Sequence, residues 1–324
     1  MSRAREFGNR LYSGEQSFNF VGRRKTWYII GAIAVIFALL IPVARGGFNF
    51  GIEFRGGSEF RLTNSQSLPH EVAVDVLAEI SPGSQVRVTD VGIADIRIQT
   101  EQLQDIESEE ARLALADAFG VEGGQVASSF IGPNWGADVT NQAITGLVIF
   151  LILVSLLMAV YFRSWKMSVA ALLALAHDLI LTAGIYAGVG FEVTPAAVIG
   201  FLTILSYSLY DTVVVFDKVR ENTLEIEYSE TRTFSEMVNL AVNQTLVRSI
   251  NTSVVAVMPV ASILFVGSLL LGAGTLRDIA LALFVGTIVG TYSSIFLAAP
   301  IYAHLREKEP ALKKASDKVL AGRA

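Results

Sequence analysis

Val139–Phe162 reads VTNQAITGLVIFLILVSLLMAVYF, a run without one charged side chain. A helix rises about 1.5 Å per residue, so about 20 apolar residues cross the hydrocarbon of a bilayer. This run is long enough, and five others share its character. Thr26–Ala44, Ser249–Leu276 and Ile279–Ala303 carry no charge. Met167–Phe191 carries one acid, Asp178, beside His177, and Val193–Phe216 carries only Asp211. A soluble core helix keeps a polar face, which these runs lack. The expected fold class is therefore a membrane all-α bundle of six helices.

Composition agrees. Of 324 residues 52% are hydrophobic and only 17% are charged, where a soluble domain carries about 25%. There is no cysteine, which excludes disulfides, thiolate metal sites and cysteine nucleophiles. The histidines are His70, His177 and His304, far apart in sequence, so no metal site is expected. The first 26 residues are polar and basic. The apolar run that follows is too long for a signal-peptide core and is read as a retained span.

Lys and Arg set the orientation. Arg3, Arg5, Arg10, Arg23, Arg24 and Lys25 precede the first span, and Arg163 and Lys166 follow the second. Lys218, Arg220 and Arg232 follow the fourth; Arg306, Lys308, Lys313, Lys314, Lys318 and Arg323 follow the sixth. With six spans all these segments share one side, which the positive-inside rule places in the cytoplasm. Arg277, beside Asp278, sits against this trend at the outer edge. The resulting plan is a cytoplasmic tail (1–26), a first span (27–45), an extracytoplasmic domain (46–138), spans two to six (139–303) with a cytoplasmic loop (217–247), and a basic tail (304–324).

Residues 46–138 hold no lysine, five arginines and fifteen acids. Ser58–Thr63, Gln85–Val91 and Ile93–Thr100 alternate like strands, and Asp90-Val91-Gly92 suggests a turn between the last two. Pro69–Ile80 and Ile106–Phe119 have helical spacing, and Gln125–Ile131 is a final strand. The order βαββαβ predicts an α+β domain on the split-βαβ, ferredoxin-like plan.

Asp211 is the foremost candidate. An ionisable side chain in mid-span costs about 2.5–3.5 kcal/mol on insertion scales, so it needs a partner, a proton or a water-filled cavity. It is either a proton-carrying carboxylate or a structural acid bonded across helices. Arg248 lies at a similar depth and is the expected counter-charge, holding Asp211 ionised until the two move apart. The alternative is an interfacial Arg that snorkels to lipid phosphates. His177 and Asp178 point about 100° apart on one helix, so they need not touch; either one of them meets Asp211, Asn251 or Thr252 in a supporting polar cluster, or the pair only fixes helix packing. Gly184-xxx-Gly188 and Gly286-xxx-Gly290 have the spacing of close helix contacts. Walker A, HExxH and G-x-S-x-G patterns are absent, so no ATP site and no enzyme activity are expected.

Several segments resemble one family in the same order along the chain. Gly51-Ile52-Glu53-Phe54-Arg55-Gly56-Gly57 resembles the segment after the first span of SecD/SecF export proteins, which commonly have Asp where this chain has Glu53. Ser206–Asn222 (SYSLYDTVVVFDKVREN) resembles the family's fourth span, and Arg248–Ser253 (RSINTS) the start of its fifth. His177-Asp178 matches a pair in the third, and Gly290–Phe296 (GTYSSIF) the sixth. Ser206 and Tyr210 depart from the family's usual Gly and Asn. The resemblance implies a subunit that works with SecD, the SecYEG channel, a translocating preprotein and the lipid bilayer, with no nucleic acid. It implies that preprotein export is assisted by the proton motive force after ATP-driven initiation, with the proton as coupling ion and no cofactor. It also implies a proton pathway through Asp211 and Arg248. A proton-driven exporter of lipids or small molecules of the resistance-nodulation-division type and a non-conducting scaffold of the translocase are the alternatives.

Overall fold

The computed structural model describes residues 3–63, 69–91, 94–224, 226, 231–267 and 274–323. The chain is mostly helical, with six helices long and apolar enough to cross a membrane: Arg24–Ala44, Asn134–Phe162, Trp165–Val189, Pro195–Thr223, Phe234–Gly267 and Leu276–Arg306. Gly92 of the expected turn, Ile93, and 268–273 of the expected fifth span lie outside the described residues.

The spans divide by burial. In the third, fourth and sixth, 50%, 44% and 56% of the most apolar stretch is buried, against 11%, 11% and 6% in the first, second and fifth. The first group is thus the centre and the second its rim. Small residues allow the close approach. A Cβ built on Gly290 would lie 2.9 Å from Ser208 Cβ, and one on Gly184 would lie 2.5 Å from Ala38 Cα. The sixth span is therefore pressed on the fourth, and the first on the third. Large apolar side chains such as Ile36, Phe37, Leu156, Leu157, Val255 and Met258 remain exposed on the rim, as a lipid-facing or subunit-facing surface requires.

The end of the bundle that carries the basic segments is more ordered than sequence alone suggests. Of the segment expected as a loop (217–247), residues 225 and 227–230 lie outside the described ones, and the rest is largely helical, because the fourth span runs on to Thr223 and the fifth begins at Phe234. Thr233 and Glu236 form a reciprocal capping box there, which satisfies free N–H groups at the helix start. Phe234, Val238, Ala241 and Val242 bury one face, so the helix continues as an amphipathic one beyond its charge-free part. The N-terminal tail forms a helix at Arg3–Ser13, and its Leu11, with Phe20 and Val21 beyond it, is buried in the bundle core. The C-terminal tail forms Pro310–Ala321, with Leu312 and Val319 buried.

Arg24 donates two hydrogen bonds to Glu307, of 2.6 and 2.7 Å, joining the first span to the end of the sixth. Both side chains are 24% exposed. Arg24→Ala is expected to cost about 1 kcal/mol, as for a partly solvated pair, read as a small fall in Tm in detergent.

The segment after the first span opens with β1 (Asn49–Phe50), which pairs in parallel with β6 (Glu192–Val193) between the third and fourth spans. A short helix, Ile52–Arg55, follows. Next come β2 (Gly57–Leu62), helix His70–Ile80, β3 (Arg87–Val91), β4 (Asp95–Thr100), helix Asp105–Ala118 and β5 (Val126–Ile131). The sheet order is β3-β4-β2-β5, with all neighbours antiparallel. Phe60 pairs with Ile98 and Leu62 with Ile96. All four point to one face and are buried with Leu77, Leu115 and Phe119 from the helices, as the period-2 alternation of a one-sided sheet requires.

Candidate functional site

Two buried carboxylates lie where the three central spans meet. Asp178 is 2% exposed and Asp211 5%. The Asp178 carboxylate takes a hydrogen bond from His177 Nδ1 at 3.2 Å on Oδ1, and from Ser293 Oγ at 2.7 Å and Ser208 Oγ on Oδ2. Asp211 accepts from Ser249 Oγ at 2.7 Å on Oδ1 and from Ser294 Oγ on Oδ2. The serine donors come from the fourth, fifth and sixth spans, so the two acids tie the bundle's centre together.

Adjacent serines reach different acids for a geometric reason. Residues 294–298 form a π-helical turn, a local widening that is frequent at functional sites. Ser293 ends the regular helix and turns to Asp178; Ser294 opens the wide turn and faces Asp211. The hydroxyl network extends further. Ser253 Oγ donates to the Ser249 carbonyl at 2.8 Å and lies 2.5 Å from Thr291 Oγ1.

A serine hydroxyl has one donor and two acceptor lone pairs. It can therefore serve a carboxylate, by donating, or a carboxylic acid, by accepting. Among the described residues no Lys or Arg forms an ion pair with Asp211. Its supports are thus compatible with either protonation state, which a fixed Arg partner would not be.

The expected pair of Asp211 with Arg248 is not formed. Arg248 is exposed on the rim, and its neighbour Ser249 takes the place beside the acid. Successive residues point about 100° apart on a helix, so equal depth did not imply contact. Asn251 is also exposed, and Thr252 Oγ1 bonds back to the Arg248 carbonyl at 2.8 Å; neither joins the cluster. His177 and Asp178 do contact each other despite their adjacency. His177 Nε2 is buried without a hydrogen-bond partner and lies on the Gly31 side, facing the first span. Tyr210, 55% exposed, points away from the cluster. The residues missed in sequence are the serines 208, 249, 293 and 294. Their signal was only that small hydroxyl residues fall beside the acids or at matching depth.

Residues 114–308 match the family described as "Protein export membrane protein SecD/SecF, C-terminal", and residues 45–64 match the "SecD/SecF GG Motif". The chain belongs to the SecD/SecF protein-export family. It is similar to the protein translocase subunit SecF of Streptomyces coelicolor, at 45% identity over 100% of this chain and 86% of the relative. It is also similar to the crystal structure of SecDF, "a translocon-associated membrane protein", from Thermus thermophilus, at TM-score 0.80 and 31% identity. That likeness covers 90% of this chain and 39% of the SecDF chain. SecDF "in Super-membrane-facing form" matches at TM-score 0.62 and 31% identity, over 95% of this chain and 40% of that one. Within the family this chain stands with the SecF subunits, accessory components of the Sec protein translocase. It is a multi-pass membrane protein, and in SecDF its counterpart is part of a longer chain.

Proposed function

We propose that this chain uses the proton motive force, together with a SecD-type partner, to assist preprotein movement through SecYEG after ATP-driven initiation. The observation that carries the reading is Asp211, buried in mid-span between two serine hydroxyls and without a cation. The proton is the coupling ion, no other cofactor takes part, and the chain is not an enzyme. A proton performs work only if two states bind it unequally. One charge crossing 100 mV supplies about 2.3 kcal/mol, so a few protons can bias a domain movement.

Arg248 keeps a role in this reading, with a different partner. It sits at the depth of Asp211 but on the outer surface of the fifth span, with Asn251 exposed beside it. An Arg facing lipid there costs about 2.5–3.5 kcal/mol on insertion scales. An acidic or polar group of the SecD-type partner would remove that cost. The distribution of Lys and Arg supports cytoplasmic termini and an extracytoplasmic 46–138. The inserted unit is a ferredoxin-like domain, supported by its βαββαβ order and all-antiparallel sheet.

The test is preprotein translocation into vesicles with and without this subunit, with the gradient intact or collapsed by an ionophore. The expected outcome is a gradient-dependent increment that needs the subunit. An increment equal in both vesicle types would overturn the reading and leave the scaffold. Extrusion of a lipid or drug, with no effect on preprotein, would favour the small-molecule exporter.

A further inference from the structure

A second cluster of acids lies at the opposite end of the bundle, where the inserted domain meets it. β6 brings Glu192 to this junction, and Arg97 from β4 donates to Glu192 Oε2 at 2.5 Å. The Arg97 and Glu192 side chains are 20% and 10% exposed. Asn49 of β1 completes the seam by accepting from Arg87 at 3.0 Å and donating to the Gly190 carbonyl at 2.8 Å. Beyond these bonds, the two-rung β1–β6 ladder is the sheet link between the parts.

Glu53, on the short helix after β1, turns into the same space. Among the described residues its Oε2 is buried without a hydrogen-bond partner, and so is Glu192 Oε1. Both oxygens converge on Gly51. A Cβ built there would collide with Glu53 Oε2 and lie 3.5 Å from Glu192 Oε1. Two buried acceptors thus face a common space that only a glycine leaves open. An unpartnered buried acceptor is unfavourable, and more so if it is charged. One added hydrogen would turn one oxygen into a donor and satisfy both.

The surroundings do not neutralise the pair. From β2, Glu59 is within electrostatic reach of Glu53 and accepts from Gln99 at 3.0 Å. From the start of the sixth span, Asp278 is within reach of Glu192 and accepts from Thr194 at 2.9 Å. Arg277 lies over the Phe191 ring, 4.9 Å from its centroid, and Arg45 from the end of the first span lies beside Gly190. Arg55 and Asp138 are exposed. Arg97 is the cation bonded directly to the pair.

We propose that Glu53 and Glu192 form a proton-binding site that holds the inserted domain docked on the transmembrane bundle. With the proton bound, Glu53 donates to Glu192, and Glu192 stays paired with Arg97. Without it, two like charges face each other against one Arg, and the seam loosens.

The direction of linkage follows from burial, which pushes the Glu53 carboxyl above its ordinary range; its own backbone N–H and Arg97 oppose the rise, and Glu192 and Glu59 add to it. A group whose affinity for a proton is higher in the docked state favours docking fully below its undocked value. That contribution is lost as pH rises through the docked one. Docking is thus an acid-side property, weakening by up to about tenfold in the docked-to-undocked ratio per pH unit between the ordinary and the raised value, and levelling off above it.

The test measures distance rather than export, so it stands apart from the translocation reading. The chain has no cysteine, so spin labels at Glu79→Cys and Val189→Cys, both exposed positions, mark the domain and the bundle. The full chain with its SecD-type partner is placed in lipid vesicles and the label distance is followed from about pH 4 to 9, a window that starts at the ordinary carboxylate range of about 4 and extends well above it. The expected result is one short-distance population at low pH that gives way to longer distances as pH rises. Glu53→Gln, whose amide supplies the missing hydrogen, stays docked throughout, and Arg97→Gln is loosened throughout. A distance unchanged by pH in the unsubstituted protein overturns the proposal, as does a pH response that survives Glu53→Gln. Repeating the series in sodium and in choline chloride adds one arm: docking that follows sodium rather than pH overturns a proton as the ligand.

Discussion

Asp211→Asn is expected to remove the gradient-driven part of preprotein translocation proposed above and to leave the subunit inserted and assembled. The substitution is nearly isosteric, so the packing of the fourth span against the fifth and sixth is kept. The amide oxygen can still accept from one serine, and the amide nitrogen can donate to the other, because Ser249 and Ser294 hydroxyls accept as well as donate. The cost in stability is therefore expected to stay below about 1.5 kcal/mol, the net worth of a typical hydrogen bond. What the amide cannot do is load and release a proton in the working range. Translocation should fall to the level seen with the gradient collapsed, while co-purification with the SecD-type partner is unchanged. Unimpaired gradient-driven translocation would make Asp211 a structural acid and return the case to the scaffold.

Gly184→Leu is expected to prevent the bundle from closing. A Cβ at this position would lie 2.5 Å from the Ala38 Cα and 2.7 Å from its carbonyl oxygen. These are backbone atoms of the first span, which cannot rotate away as a side chain can. Overpacking usually costs about 1–3 kcal/mol, and a clash with backbone belongs at or above the upper end. Gly188→Ala supplies the contrast. Its Cβ would meet only Ile41 side-chain atoms, at 3.4 Å and beyond, an ordinary contact. The expected outcome is aggregated or degraded Gly184→Leu protein beside a Gly188→Ala protein of unchanged Tm, followed by fluorescence-detected size exclusion and thermal unfolding. Equal behaviour of the two would mean that the third and first spans do not approach as described.

That contrast shows where pattern reading stops. Gly184 and Gly188 are equivalent in a small-xxx-small motif, yet only Gly184 sits against backbone. The same holds for the loop expected at 217–247. A window that looks for charge-free residues ends where Asp217 and Lys218 begin, although a helix with polar Asn239 and Asn243 on one side and Val238 and Val242 on the other continues well outside the apolar stretch. Legible beforehand were the six spans and the acids inside the third and fourth; the partners of His177 and Asp178 were not, since Asp178 is held by His177, Ser208 and Ser293 and neither residue meets Asp211. Arg248, Asn251 and Thr252 were placed by depth alone, and depth does not say which way a helix is rotated.

The sequence by itself determined the membrane class, the number of spans and the alternation of strands in the inserted segment. These are local properties: hydrocarbon has a fixed thickness, and a strand's two faces alternate with period two. The tertiary structure alone decided which polar groups meet. The rotation of the fifth span puts Ser249 rather than Arg248 on Asp211, and the wide turn at 294–298 divides two adjacent serines between two acids. The return of β6 to β1 brings Glu192 to Glu53 and Arg97 across large separations in the chain. Helix rotation and long-range pairing follow from packing the whole bundle at once, and no short window of residues contains that information.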